Sequence, residues 1–189
     1  MNFIISLSGQ LGSGKSTVGK LLAQKLGYTF YSTGNAQRKI AAERGITTLE
    51  LNKLSMTDTS IDKQIDSVFK NLVRQEENFV VDSRLAFFFI PSSLKVKLNV
   101  QTKVAAERIF NDPSRSEEKK YTSIKEAEQS LLDRRALEVE RFKTLYHVDI
   151  DNEANFDFII DTTDKTPQEI VDLIIEKFYK FQKRRLKGS

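Results

Sequence analysis

Gly9-Gln10-Leu11-Gly12-Ser13-Gly14-Lys15-Ser16-Thr17 is the stretch on which the fold turns. Its first eight residues fit G-x-x-x-x-G-K-[ST], the phosphate-binding P-loop. The chemistry explains the spelling. Glycines let the backbone curl until successive N–H groups face one anion. The helix that opens near Lys15 adds the positive end of its dipole. Lys15 reaches toward β- and γ-phosphates, and a hydroxyl at Ser16 suits Mg²⁺. The context is right on both sides. Phe3 to Leu7 is a short apolar run, and Val18, Leu21, Leu22 and Leu26 follow at helical spacing. Strand, loop and helix in that order predict a nucleoside triphosphate site at residues 9–17.

Further strands are expected at 29–32, 78–82, 94–100 and 156–161, after a first at 2–8. Helical patterns separate them: 15–26, 34–44, 48–55, 60–76, 102–110, 123–145 and 166–185. Ile61, Ile65, Val68, Phe69 and Leu72 make the apolar face of the fourth. This alternation predicts an α/β fold of βαβ units around a parallel sheet. Strand 94–100 alternates Leu and Val with Lys, which suggests one wetter face. Two stretches exceed a minimal alternation, about 33–77 and about 111–140. Insertions at the carboxyl ends of parallel strands surround the ligand crevice. The first is expected to bind the acceptor and the second to form a lid, within a single domain over 1–189.

The chain has 189 residues, 30 Lys and Arg against 26 Asp and Glu, and no Cys. Thiol and disulfide chemistry are excluded. No apolar stretch approaches the ~20 residues of a membrane span, and a cytoplasmic protein without a membrane partner is expected. Residues 177–187 carry six Lys and Arg and no acid. Without them the chain has 24 basic and 26 acidic residues. The basic excess is a C-terminal helix end, where cations also suit the dipole, and no stable nucleic-acid partner is expected. His147 is the sole histidine, so a zinc centre is not expected.

Tyr28 to Ala42, which follows strand 2 toward the phosphates, contains no Asp or Glu. A kinase acting on a hydroxyl needs a carboxylate to orient or deprotonate it. An acceptor that is already a phosphate needs cations instead, and Ser32 and Arg38 suit that role. Asp82 closes strand 3 where a carboxylate beside the P-loop strand holds Mg²⁺, directly or through water. Arg84 enters the same crevice, with a guanidinium able to grip a phosphate through two parallel hydrogen bonds. Arg134, Glu138 and Arg141 share one helix face. On pattern alone this is either an ion-paired solvent face or a lid whose arginines reach the transferring group. Phe87, Phe88 and Phe89 read as core or pocket wall, with a base-stacking role open to one of them.

Together these segments resemble the cytidylate kinase family, and more closely its short form found in archaea and some bacteria. Ser32-Thr33-Gly34-Asn35-Ala36-Gln37-Arg38 looks like the family's S-x-G-x-x-x-R. Asp82-Ser83-Arg84 is similar to its D-G-R or E-G-R. Arg134, Glu138 and Arg141 fit R-x-x-x-[DE]-x-x-R, and Arg141 to Ile150 looks like R-Y-x-x-Y-G-I-D. The resemblance implies a three-layer α/β/α sandwich around a five-stranded parallel sheet in the order 2-3-1-4-5, and phosphoryl transfer from ATP to CMP or dCMP with Mg²⁺, by a monomer. It implies that Ser32, Arg38 and Arg84 hold the acceptor phosphate. Arg134 and Arg141 would bridge donor and acceptor, oriented by Glu138, and Lys15 would complete the catalytic set. Departures fall at Leu85, where longer forms have an acid on the base, and at Ser83, Asp112 and His147. Arg115 is a candidate substitute for the lid arginine missing at 112. Asp62 and Asp66 are candidate acceptors for the base. The alternatives are a kinase for AMP, UMP or a small molecule, and an ATP-binding regulatory or nucleic-acid-associated protein.

Overall fold

The computed structural model describes residues 2–55, 57–58, 60–64, 67, 71, 77–112 and 121–187. Five strands form one sheet: β1 (Ile4–Gly9), β2 (Thr29–Ser32), β3 (Phe79–Asp82), β4 (Leu94–Asn99) and β5 (Phe158–Asp161). Their order is β2-β3-β1-β4-β5 and every pairing is parallel. Among the described residues the helices with both ends defined are α1 (Lys15–Leu26), α2 (Thr33–Glu43), α3 (Thr48–Leu54), α4 (Ala86–Phe89), α5 (Thr102–Phe110), α6 (Ile124–Tyr146) and α7 (Pro167–Lys187).

The sheet is buried on both sides, as a parallel sheet must be. Ile5 and Leu7 of β1 point to one side, where Val18 and Leu22 of α1 and Ile170, Val171, Ile174 and Phe178 of α7 cover them. On the other side Ile4, Phe79 and Val81 pack with Ala41 of α2, Leu51 of α3 and Ala86 of α4. Burying such side chains contributes about 1.5–3 kcal/mol each, so the two layers hold the strand ends in fixed register. That register sets Leu7 and Ser32 on either side of Asp82. The carboxyl ends of β1, β2 and β3 therefore converge where the P-loop begins.

Local signals explain several boundaries. Thr47 caps α3 through a capping box: its hydroxyl accepts from Glu50 N–H, and Glu50 accepts from Thr47 N–H. Gly27 ends α1 in the left-handed region. His147 ends α6 in that same region, at φ 55°.

Some expectations are corrected. Strand 94–100 has no wet face at Lys97, which is 6% exposed. Its ammonium donates to Asp151 O at 3.2 Å and sits 5.3 Å over the Phe156 ring. β5 begins at 158 because residues 153–155 form a 3-10 turn capped by Asn152. Phe87 to Phe89 lie in the short helix α4. Of the helix expected at 60–76, residues 60–64 are helical; Ile65, Val68, Phe69 and Leu72 lie outside the described residues, as do Asp66 and Arg115. Among the described residues no helix is long and apolar enough to cross a membrane.

Candidate active site

The P-loop follows β1 without a break. At Gly9 a Cβ would sit 2.2 Å from Leu98 O, and at Gly12, φ +80°, 2.8 Å from Ala105 O. Only glycine lets the loop pass that close to β4 and α5. α1 opens at Gly14 with no side-chain cap, so its first N–H groups face the cleft as anion donors. Lys15 is 7% exposed, and its ammonium donates to Gln10 O at 2.7 Å within the loop. Ser16 donates to Asp82 Oδ2 at 2.5 Å. Ser32 donates to the same oxygen at 3.4 Å, and Thr33 to Asp82 O at 3.4 Å. One buried carboxylate thus joins the P-loop to the end of β2. A hydroxyl and a carboxylate in contact are hard oxygen donors, which fit Mg²⁺ completed by phosphates and water.

The cleft over the loop has a volume of about 480 Å³, adequate for a nucleotide. Residues of the P-loop and of α2, including Gly34, Gln37 and Arg38, line it, with Asp82, Arg84, Asp112 and Arg134. Arg38 donates to Asn35 Oδ1 on the same helix.

α6 forms the facing wall. Ala127 and Leu131 anchor it to α5, and Phe142 anchors it beside Leu85, Phe87 and Ile150. These anchors leave Glu138, on the same buried stripe, between two apolar clusters. Its side chain is 4% exposed and pairs with Arg84 Nε at 2.5 Å and Arg134 Nε at 3.2 Å. Burial alone would push the Glu138 carboxyl up; Arg84, Arg134 and Arg141 together outweigh it and hold it below the usual range. Burial in turn pulls the Arg84 guanidinium down, Glu138 opposes this, and Arg134 and Arg135 add to it. Arg134 lines the cleft above the P-loop. Arg141 instead turns toward α3. Its Nη1 donates to Asn52 Oδ1 at 3.1 Å, and its guanidinium lies 4.8 Å over the Phe142 ring. So the structure gathers Arg84, Arg134 and Glu138 opposite the P-loop and sets Arg141 deeper, against α3.

Arg108 was not singled out by the sequence. It donates to Gly12 O at 3.3 Å, Thr162 O at 2.7 Å and Thr163 O at 3.1 Å, lacing α5 to the P-loop and to the turn after β5. The Thr162 hydroxyl donates to Ser13 O at 3.2 Å. A buried-side arginine near the end of α5 gave no periodic signal, because its partners lie in two distant segments.

The sequence model for the cytidylate kinase-like family matches residues 4–164. A cytidylate kinase of Methanocella arvoryzae is 35% identical over 180 residues, 95% of this chain and 99% of that one. An S-adenosylmethionine-dependent nucleotide dehydratase of Lacinutrix mariniflava is 39% identical over 178 residues, 93% of this chain. The match takes in 36% of that protein, so the chain spans about a third of that relative's length. Among solved structures, an uncharacterized protein of Eubacterium ventriosum superposes with a TM-score of 0.69 at 16% identity, over 94% of this chain and 98% of that one. A shikimate kinase of Acinetobacter baumannii does so with 0.59 at 18%, over 95% and 94%. These two likenesses concern the fold alone. From the match over residues 4–164 and the full-length relatives, the chain belongs to the cytidylate kinase-like family and is a kinase-class phosphotransferase.

Proposed function

We propose that this chain is a nucleoside monophosphate kinase that moves the γ-phosphoryl group of ATP to CMP or dCMP. One observation carries the reading. Arg84 and Arg134 are gathered on one carboxylate, Glu138, opposite the P-loop, while Tyr28 to Ala42 offers no acid to deprotonate a hydroxyl. A β2–α2 segment without a carboxylate, facing gathered cations, suits an acceptor that is already an anion. The family's cytidylate kinases at 32–35% identity support the choice of base.

The chemistry asked of the protein is alignment and charge neutralisation. The P-loop amides and Lys15 hold the donor phosphates. Ser32, Arg38 and Arg84 hold the acceptor phosphate, and Arg134 meets the group in transfer. Glu138 keeps two guanidiniums in place before substrate arrives, so little reorganisation remains for the reaction itself. Ser16 and Asp82 would hold Mg²⁺, which supplies charge neutralisation between the donor phosphates. Enclosure between α6 and the P-loop keeps water from competing as acceptor.

ADP formation measured with CMP, dCMP, UMP, AMP and no acceptor tests this. The expected result is turnover stimulated by CMP or dCMP far above background hydrolysis. Arg84→Ala is expected to raise KM for the acceptor much more than for ATP. Failure of every monophosphate to stimulate turnover would end the proposal.

A further inference from the structure

Ser8 stands immediately before Gly9, where the P-loop opens, and it is buried. Its hydroxyl donates to Ser83 O at 3.0 Å and reaches Arg84 O at 3.4 Å. Both carbonyls belong to the turn that takes the chain from β3 into α4. The pairing of β1 with β3 closes just before this turn, where Ser83 N–H donates to Leu7 O at 3.1 Å. The bonds of α4 begin just after it, with Phe88 and Phe89 N–H donating to Leu85 O at 3.0 and 3.1 Å. The turn therefore falls between a ladder and a helix, and a side chain of β1 supplies its donor. An apolar residue at position 8 would leave a buried carbonyl short of that bond.

Resting on the nucleoside monophosphate kinase reading, we infer that Ser8 is a positioning residue that sets the distance between the donor's P-loop and the acceptor's arginine. The peptide after Ser8 begins the phosphate cradle, and the backbone that its hydroxyl grips is that of Arg84. Glu138 holds the other end of this arginine, with its carboxylate 2.5 Å from Arg84 Nε. The guanidinium is thus tethered at its head to α6 and at its root to the strand that carries the P-loop. In-line transfer needs the reacting atoms about 3–3.5 Å apart, and a displacement of about 1 Å can cost ~10²-fold in rate. A bond that ties the donor cradle to the root of an acceptor arginine restrains that distance directly. Ser8 acts through Arg84 and needs no contact with either phosphate.

The test is a double-substitution cycle read by steady-state kinetics. Ser8→Ala is expected to raise KM for CMP roughly 10-fold and to lower kcat, with KM for ATP moving less than about twofold. Because Ser8 acts through Arg84, adding Ser8→Ala to Arg84→Ala is expected to change KM for CMP by less than about twofold. Ser6 is the control. It lies two residues back on the same face of β1, is fully buried, donates to Leu94 O at 3.4 Å and accepts from Ser93 at 2.9 Å. Ser6→Ala removes the same kind of bond away from Arg84, so it is expected to lower Tm about as much as Ser8→Ala does, roughly 2–6 °C, and to leave both KM values in place. Where Ser8→Ala folds poorly, Ser8→Cys keeps the size with a weaker donor and takes its place in the cycle. Equal rises in both KM values, the same acceptor effect from Ser6→Ala, or the full effect repeated on Arg84→Ala would overturn the inference. If CMP is phosphorylated and one of these results appears, the inference about Ser8 alone fails. If no monophosphate is phosphorylated by the unmodified protein, the kinase reading fails with it.

Discussion

Glu138→Gln keeps the shape of the side chain and removes its charge, and its cost follows from the geometry. Glu138 is 4% exposed and lies 2.5 Å from Arg84 Nε and 3.2 Å from Arg134 Nε. Without the carboxylate, neighbouring buried guanidiniums lose the anion between them. Removing one partner of a buried ion pair costs about 3–5 kcal/mol. For a chain of this length each kcal/mol shifts Tm by about 2–4 °C, so the variant is expected to melt roughly 6–20 °C lower at neutral pH. The pH dependence separates charge from packing. The arginines hold the Glu138 carboxyl below the usual range against the opposing effect of burial. A depressed pKa in the folded state means that the unfolded chain takes up the proton first as pH falls. The stabilisation is therefore complete above the ordinary carboxylate range and is lost as pH drops through the depressed value. Thermal unfolding of both proteins from neutral to acid pH is expected to show the gap closing. A neutral-pH gap below about 1 kcal/mol, or one that stays constant into acid, would refute the reasoning.

Two further substitutions probe other parts of the site. Asp82→Asn is expected to raise the Mg²⁺ concentration for half-maximal turnover by roughly 10- to 100-fold, read by titrating the metal at saturating ATP; an unchanged titration removes Asp82 from the metal's surroundings. His147→Gly is expected to raise Tm by about 2–4 °C, since a side chain at φ 55° costs about 1 kcal/mol that glycine does not; a lower Tm would show that the His147 side chain makes a compensating contact.

What the sequence made legible was local. α1, β2 and α5 have the bounds that periodicity and end signals predict, because Gly27, the P-loop and the run from Thr102 act within a few residues. The sheet order β2-β3-β1-β4-β5 was expected from the family resemblance, not from any local signal. The charged face of α6 was ambiguous for a physical reason. An i, i+4 Arg–Glu pair reads the same on a solvent face as in an interior, and only the anchors Leu131 and Phe142 bring Arg134 and Glu138 inside. Lys97 misled in the same way, since its buried ammonium is satisfied by Asp151 and Phe156 from more than 50 residues away. Arg108 and Asn52 gave no signal at all. Their partners at Gly12, Thr162 and Arg141 belong to other elements. Four residues of α4 are too few for a helical period to appear.

Asp82 touches Ser16 on the donor side and Ser32 and Thr33 on the acceptor side through a single carboxyl group and its own backbone. A cation or phosphate that changes the field at Asp82 is felt by both halves of the cleft. On the proposed reading the two substrates meet at this one carboxylate, and any coupling it carries between them is reciprocal. Whatever factor bound ATP adds to the affinity for the acceptor, the acceptor must return to ATP. On that reading, each nucleotide's dissociation constant is expected to shift with the other's concentration.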